Sequence, residues 1–143
     1  MTATANITIN NTNDAPVATN DQYVVDEGTS VGYSAGLGVL GNDADADGDM
    51  LTATLLNGPS NGTLMLNSDG SFTYTHNGSE TTGDSFTYTV SDGNGGTDTA
   101  TVNLTINPVN DLPVATGYSQ AAAEDTVVPV SYTHLTLPTI YSV

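Results

Sequence analysis

Four aspartates at alternate positions form the densest group of charged side chains in the sequence. The stretch GNDADADGDM places Asp43, Asp45, Asp47 and Asp49 two residues apart, with Gly48 between the last two. A tight loop can turn side chains with this spacing toward one point, and the glycine permits a sharp bend. Ca²⁺ takes about six to eight hard oxygen ligands, whereas Mg²⁺ keeps its own waters and seldom uses a protein cage. The spacing therefore predicts a calcium site, and the alternative is a solvated Asp-rich turn.

The loop is not an EF-hand, although it begins like one. The twelfth position counted from Asp43 is Thr54 instead of glutamate, and neither flank has a helical pattern. A zinc site is also disfavoured, because the chain has no cysteine and its two histidines are His76 and His134. We expect His76 to lie at the surface, and we assign no function to His134.

The charge balance of the whole chain adds to the case for a cation. Its 143 residues include 16 Asp and Glu but no Lys or Arg, which gives a formal net charge of -16. Self-repulsion on this scale excludes nucleic acids and anionic membranes as partners, and Ca²⁺ is the counter-charge that we expect. No stretch approaches the roughly 18 apolar residues needed for membrane insertion. Without Lys, Arg or a His-based nucleophile pair, we do not expect an enzyme.

Two segments of the chain are nearly identical and define a repeat. TATANITINNTNDAPVAT at residues 2–19 returns as TATVNLTINPVNDLPVAT at residues 99–116, so that Pro16 and Pro113 are equivalent and 97 residues apart. This period is typical of one β-sandwich domain of about 100 residues. The predicted pieces are the end of a preceding repeat with its linker at 1–15, a whole repeat at 16–110, the start of a following repeat at 111–129 and a non-matching tail at 130–143.

The tail does not follow the repeat. With the same offset of 97 residues, Asp43 should recur at position 140, which is Ile140. The stretch VSYTHLTLPTI at residues 130–140 also looks like the translation of a common transposon sequencing adapter. One hypothesis is therefore adapter read-through, and an uninterrupted genomic reading frame through these codons would exclude it.

Short runs of alternating apolar and polar residues recur along the whole repeat at intervals of about 8 to 12 residues, a pattern typical of an all-β sandwich or barrel. Alternation places Phe72 and Tyr74 on one face of a strand, and Phe86, Tyr88 and Val90 on the inner face of another. The seven predicted strands lie at 22–26, 29–34, 50–57, 62–67, 71–76, 84–91 and 97–107.

Three stretches carry a family resemblance: VLGNDADADGDMLTATLLNGPSNGTLMLNSDGSFTYT, DSFTYTVSDGNGGTDTATVNLTI and the linker NTNDAP. They resemble the cadherin-like tandem repeats, of the VCBS type, of large secreted bacterial adhesins and RTX-type surface proteins. The resemblance covers residues 2–128 and implies an all-β, Ig-like Greek-key β-sandwich with Ca²⁺ near the junctions between repeats. It also implies an extracellular, cell-surface array for cell adhesion, whose partners are neighbouring repeats and a surface or matrix polysaccharide or protein.

The resemblance extends the candidate metal site into the linker. Animal cadherin linkers read Asp-x-Asn-Asp-Asn, and here Asn13 and Asp14 match two of these positions, as do Asn110 and Asp111 at the second junction. We expect Asp111 to reach forward toward Glu124, and the alternative for NDAP is simple turn initiation. The predicted metal ligands are therefore Asp43, Asp45, Asp47, Asp49, Asn13, Asp14, Glu27 and Asp111.

The preferred interpretation is a calcium-binding structural and adhesive repeat, and two questions stay open beside it. A Ca²⁺-dependent carbohydrate-binding module is the alternative function, in which tyrosines such as Tyr23 and Tyr33 stack on sugar; otherwise these rings belong to the core. Asp92 and Asp98 in SDGNGGTD are further candidate ligands, although a tight hairpin already accounts for the glycines between them.

Overall fold

Seven β-strands make up most of the regular structure in the computed structural model, which describes residues 12–113 and Gly117. A single turn of 3₁₀ helix, Ala35–Leu37, follows the second strand. Each strand lies within two residues of its predicted position at both ends, so the predicted pattern is confirmed. The strands are β1 (Asp21–Asp26), β2 (Ser30–Tyr33), β3 (Thr52–Asn57), β4 (Gly62–Leu66), β5 (Phe72–His76), β6 (Gly83–Ser91) and β7 (Thr97–Asn107).

The strands form two sheets that enclose one core, which confirms the predicted β-sandwich. One sheet has the order β1-β7-β6-β3 and the other has the order β2-β5-β4. All pairs are antiparallel except β1 and β7, which run parallel with Asp21 opposite Val102 and Asp26 opposite Asn107. The pairing of β6 with β7 extends over nine residues from each strand, so this hairpin is the longest ladder of the domain.

Alternation along the strands builds the core, as the sequence predicts. Alternate residues of β6 and β7 are buried from Phe86 to Val90 and from Ala100 to Ile106. The rings of Phe72 and Phe86 join the two sheets with a centroid distance of 5.6 Å in an edge-on arrangement, which is a favoured geometry for aromatic pairs. The buried apolar side chains are Val25, Val39, Ala53, Phe72, Tyr74, Phe86, Tyr88, Val90, Ala100, Val102, Leu104 and Ile106.

Four tyrosines, on β1, β2, β5 and β6, lie in the core or pack against it. Tyr23 lies 4.3 Å from Tyr33 and 5.0 Å from Phe72, measured between ring centroids. Tyr74 and Tyr88 have no exposed surface. These rings therefore serve the core, which is the second of the two roles that the sequence left open for them.

Contacts divide the chain into two units, Met1–Pro108 and Val109–Val143. All seven strands belong to the first unit, and residues 109–113 of the second have no regular secondary structure. Residues 1–11, Glu124 and the tail at 130–143 lie outside the described residues, so the predicted division into repeat pieces stays a prediction. In the described ranges, no helix has the length and apolar character needed to cross a membrane.

Replacing Phe72 with alanine should lower the free energy of unfolding by about 3 to 5 kcal/mol, because the ring fills the space between the sheets. Its side chain is 2% exposed, whereas Met50 is 86% exposed, so Met50→Ala is the control. Urea unfolding followed by circular dichroism measures both variants. Equal unfolding midpoints for the two variants would contradict the placement of Phe72 in the core.

Candidate metal centre

The aspartate loop at residues 41–50 connects the 3₁₀ turn region to β3 at one end of the sandwich. Its four aspartates are half-buried, while the residues between them are exposed. Gly48 has a φ of +80°, a conformation that glycine adopts without steric cost. The predicted bend is therefore present, and it turns alternate side chains toward the protein.

Three of the four aspartates converge. One carboxylate oxygen from each of Asp45, Asp47 and Asp49 lies within 4.8 Å of the other two, and we call these residues the triad. Asp45 Oδ1 accepts the backbone N–H groups of Asp47 at 2.9 Å and Asp49 at 3.1 Å, so Asp45 folds the loop around its own side chain.

The second oxygen of Asp45 is the chemically unusual atom of the triad. Asp45 Oδ2 is buried, and no hydrogen-bond donor in the described part of the chain reaches it. A buried charged oxygen without a donor is costly unless a cation lies beside it. Three converging carboxylates with one such oxygen fit a hard divalent cation, for which carboxylate oxygen is the preferred ligand.

Two neighbouring segments hold the triad in place. The backbone N–H of Asp14 donates to Asp47 Oδ2 at 2.7 Å, and Asn94 Nδ2 donates to Asp49 Oδ2 at 2.8 Å. Asp14 therefore reaches the triad through its backbone, while its residue as a whole is exposed. The linker and the β6–β7 turn thus both donate hydrogen bonds to carboxylates of the triad.

Asp43 belongs to a different group of side chains. The Tyr88 hydroxyl oxygen lies 2.7 Å from Val39 O, 3.0 Å from Asp21 Oδ2 and 3.1 Å from Asp43 Oδ2. The sequence analysis missed Asp21, which is 7% exposed. Strand alternation could have predicted an inward side chain here, because Asp21 shares the inward register of β1 with Tyr23 and Val25.

Three acceptor oxygens surround the Tyr88 hydroxyl, which has a single hydrogen to donate. A phenol has one hydrogen, so the hydroxyl donates to one of these oxygens at a time, and a protonated carboxyl would supply a second donor. Burial raises the pKa of Asp21 to about 6, helped by the charge of Asp43 and opposed by the Tyr88 hydroxyl. Burial also raises the pKa of Asp43, against the opposing N–H of Thr19. This pair of carboxyls therefore holds a proton more readily than an exposed pair would.

Glu27 lies at the other end of the sandwich from the triad. It directly follows β1, and its N–H donates to Asn107 O at 2.9 Å, whereas Asp21 at the start of β1 lies beside the aspartate loop. A six-residue strand separates the two ends by roughly 17 Å. The structure therefore does not bring Glu27 into the predicted site with the loop. Glu27 is buried, and one of its carboxylate oxygens lies within 4.8 Å of one from Glu80.

Asn13, another predicted ligand, bonds elsewhere. The Asn13 side chain donates through Nδ2 to Asp92 Oδ2 at 2.8 Å, so it bonds to a carboxylate of the β6–β7 turn. Asp111 is exposed and belongs to the second unit, and its part in a metal site stays a prediction.

Asp92 and Asp98 act as acceptors for N–H groups. Asp92 is 4% exposed, and the Asn13 side chain with the backbone N–H groups of Asn94 and Gly96 lowers its pKa. The backbone N–H groups of Ala18 and Thr99 likewise lower the pKa of Asp98. The structure therefore gives both carboxylates hydrogen-bonding partners, which is a role other than the ligand role considered from the sequence.

His76 is buried, so the expectation of a surface histidine is wrong. Its side chain is 3% exposed, because it shares the inward register of β5 with Phe72 and Tyr74. Its Nδ1 accepts the N–H groups of Gly28 at 3.2 Å and Gly78 at 3.3 Å, and its Nε2 lies 3.0 Å from Thr81 Oγ1. With two backbone N–H groups at Nδ1 and a hydroxyl beside Nε2, His76 is a hydrogen-bonded residue of the core.

Residues 13–108 match the model of a protein family described as the bacterial cadherin-like domain. No curated protein matches the chain. One similar solved structure is a nucleoside hydrolase-related protein from Saccharophagus degradans associated with carbohydrate metabolism. It is 17% identical with a TM-score of 0.45, and the match covers 66% of this chain and 26% of that one.

Two further similar structures are an endo-fucoidan hydrolase of glycoside hydrolase family 107 and a variant of it. They are 26% and 27% identical, with TM-scores of 0.45 and 0.46. Each match covers 66% of this chain and 14% of the other. The chain thus corresponds to a small part of the length of these proteins.

Asp21 should make the protein more stable at mildly acidic pH. Because its folded pKa of about 6 exceeds the ordinary value of 3.8, its favourable contribution is complete below the ordinary value and is lost as pH rises through 6. Between about pH 7.5 and pH 5 the gain is about 1 kcal/mol.

Thermal melts in calcium-free buffer at both pH values measure this difference for the natural protein and for Asp21→Asn, in which it should shrink. Asp69→Asn is the control, because Asp69 lies in an exposed turn and hydrogen bonds from Ser71 lower its pKa. A pH dependence that survives unchanged in Asp21→Asn would contradict this assignment.

Proposed function

Because the chain belongs to the bacterial cadherin-like domain family, we propose that it is a calcium-binding repeat of an extracellular, multi-repeat surface adhesin. A cadherin-like domain is a structural and adhesive module rather than a catalytic one. In this proposal Ca²⁺ stiffens the chain, and the partners of the repeat are its neighbours in the same array.

The convergence of the triad is the observation that carries the proposal. Its three carboxylates present oxygens within 4.8 Å of one another in a chain without Lys or Arg. Each carboxylate presents one oxygen to the site, and further carboxylate oxygens, backbone carbonyls or water would complete a Ca²⁺ shell of about six to eight. A bound ion would neutralise the buried Asp45 oxygen, which has no donor among the described residues.

The contacts around the triad suggest how an ion would stiffen a junction. Asp47 accepts the N–H of Asp14 in the linker, and Asp49 accepts the side chain of Asn94 in the β6–β7 turn. An ion that fixes these two carboxylates also restrains the linker and the turn that bond to them. The cation would therefore act on the place where the chain enters the repeat.

Calcium should stabilise the domain against heat, and Asp45→Asn should remove most of the effect. Extracellular Ca²⁺ modules bind with a Kd of about 10⁻⁴ to 10⁻³ M. At about 100 times Kd the gain is about 2.7 kcal/mol. For a domain of this size that gain raises Tm by about 10 °C or more.

Calorimetric melts in Ca²⁺ and in EGTA measure this shift, with Asp69→Asn as a control that removes one charge far from the triad in sequence. Equal melting temperatures with and without calcium in the natural protein would refute the proposed site.

The stiffening role is tested separately on a tandem protein with two copies of residues 13–109. Small-angle scattering should give a longer and narrower distribution of interatomic distances in Ca²⁺ than in EGTA, because a restrained linker limits bending between the copies. Asp45→Asn in the second copy should abolish the difference. A tandem that binds calcium without any change in scattering would leave the ion a local role and exclude the proposed stiffening.

A further inference from the structure

Residues 13–19 lie along the end of the sandwich and bond to the loops at 41–50 and 92–98, and we call this segment the strap. Its backbone pairs with the aspartate loop, because Val17 and Ala44 exchange both backbone hydrogen bonds, at 2.8 and 3.1 Å. Four further N–H groups of the strap each donate to a different aspartate at 2.7 to 2.8 Å. These pairs are Asn13 Nδ2 to Asp92, Asp14 N to Asp47, Ala18 N to Asp98 and Thr19 N to Asp43.

The strap packs directly against Gly96. Pro16 is buried, whereas Ala15 before it and Val17 after it are exposed. A Cβ atom on Gly96 would lie 2.8 Å from Ala15 Cα and 3.0 Å from Pro16 Cδ, and would overlap the Asp92 carboxylate. Such contacts do not fit without displacement of the strap backbone. Gly96 is thus required for close approach, a reason separate from the turn that the sequence suggested for the glycines here.

We propose that Gly96, Asp92, Asp98 and Asp43 form a peptide-binding surface that holds the linker strap without a metal ion. None of these four residues belongs to the triad. Hydrogen bonds from N–H groups to charged carboxylates are about twice as strong as those between neutral groups. This inference goes beyond the calcium proposal, because it holds the strap at Ala18 and Thr19 even where no cation is bound, whereas the proposed ion would act on Asp14 through Asp47.

The contacts define the kind of peptide that this surface accepts. The peptide must be extended and must have proline at the position of Pro16. It must also have N–H groups that can donate two and three residues after that proline. The side chain at position 15 is unconstrained, since Ala15 is exposed. The sequence NDLPVAT at residues 110–116 repeats NDAPVAT at residues 13–19 and differs at this position alone.

Gly96→Ala in the full chain tests the surface. Amide hydrogen exchange by NMR reports the N–H groups of Ala18 and Thr19, and the variant should lower their protection by about tenfold or more, both in saturating Ca²⁺ and in EGTA. Gly58→Ala is the matched control, because a Cβ there meets nothing within 4 Å and its backbone φ is not positive. Protection of core amides in β6 and β7 shows whether each variant is folded.

Asp98→Asn supplies a second test in case Gly96→Ala does not fold, with Asp69→Asn as its charge-matched control. It should expose the Ala18 amide in the same way, because Asp98 Oδ2 accepts that N–H. Calcium binding by titration calorimetry should stay within about twofold of the natural protein. Unchanged Ala18 protection in both variants would overturn the inference. So would loss of that protection in the natural protein on EGTA alone, since calcium would then hold the strap.

The two proposals fail on different measurements. Absence of binding heat on calcium addition refutes the metal site and leaves the strap surface standing. Loss of strap protection in EGTA refutes the metal-independent surface and leaves the calcium site standing.

Discussion

A carboxylate in this chain has no lysine or arginine to pair with, and the structure depends on how it meets that constraint. Most of the described aspartates accept N–H groups instead. Asp84 shows the pattern, because the amides of Ser60 and Asn61 both donate to it, together with the Tyr74 hydroxyl. Burial alone would raise its pKa, but these donors hold the pKa below its usual range. Backbone amides thus replace cationic side chains as the partners of structural carboxylates.

The exceptions to this pattern are the groups with chemical interest. Asp45 keeps one buried oxygen that no described donor reaches, and Asp21 shares one phenol proton with Asp43 and a carbonyl. The first arrangement favours a divalent cation and the second favours a proton. Both groups lie at the end of the sandwich where the linker arrives.

The strands and the core could be predicted from the sequence because alternation is a local property. Phe72, Tyr74, Phe86 and Tyr88 are buried as their register requires, and the bend at Gly48 was evident from its residue type. The predicted loop also gave three residues that converge. Local pattern is sufficient wherever a side chain's environment is set by its own strand or turn.

Other parts of the site could not be predicted, because they depend on contacts between distant segments. Glu27 is near the linker in sequence, yet the length of β1 carries it to the opposite end of the domain. Asp98 meets Ala18 across 80 residues of chain, and Gly96 is needed by a proline equally far away. Asp21 and His76 were different, since their inward registers were readable but polar residues were not expected to be buried.

The parallel pairing of β1 with β7 has a mechanical consequence. The first and last strands run in the same direction side by side, so the polypeptide arrives at one end of the sandwich and departs at the other. A pull on the two ends would drive these strands past each other along their length. The rungs between Asp21–Asp26 and Val102–Asn107 would then share the load at once, instead of opening one after another. Such a geometry resists a pull on the two ends more strongly than one whose rungs open in turn.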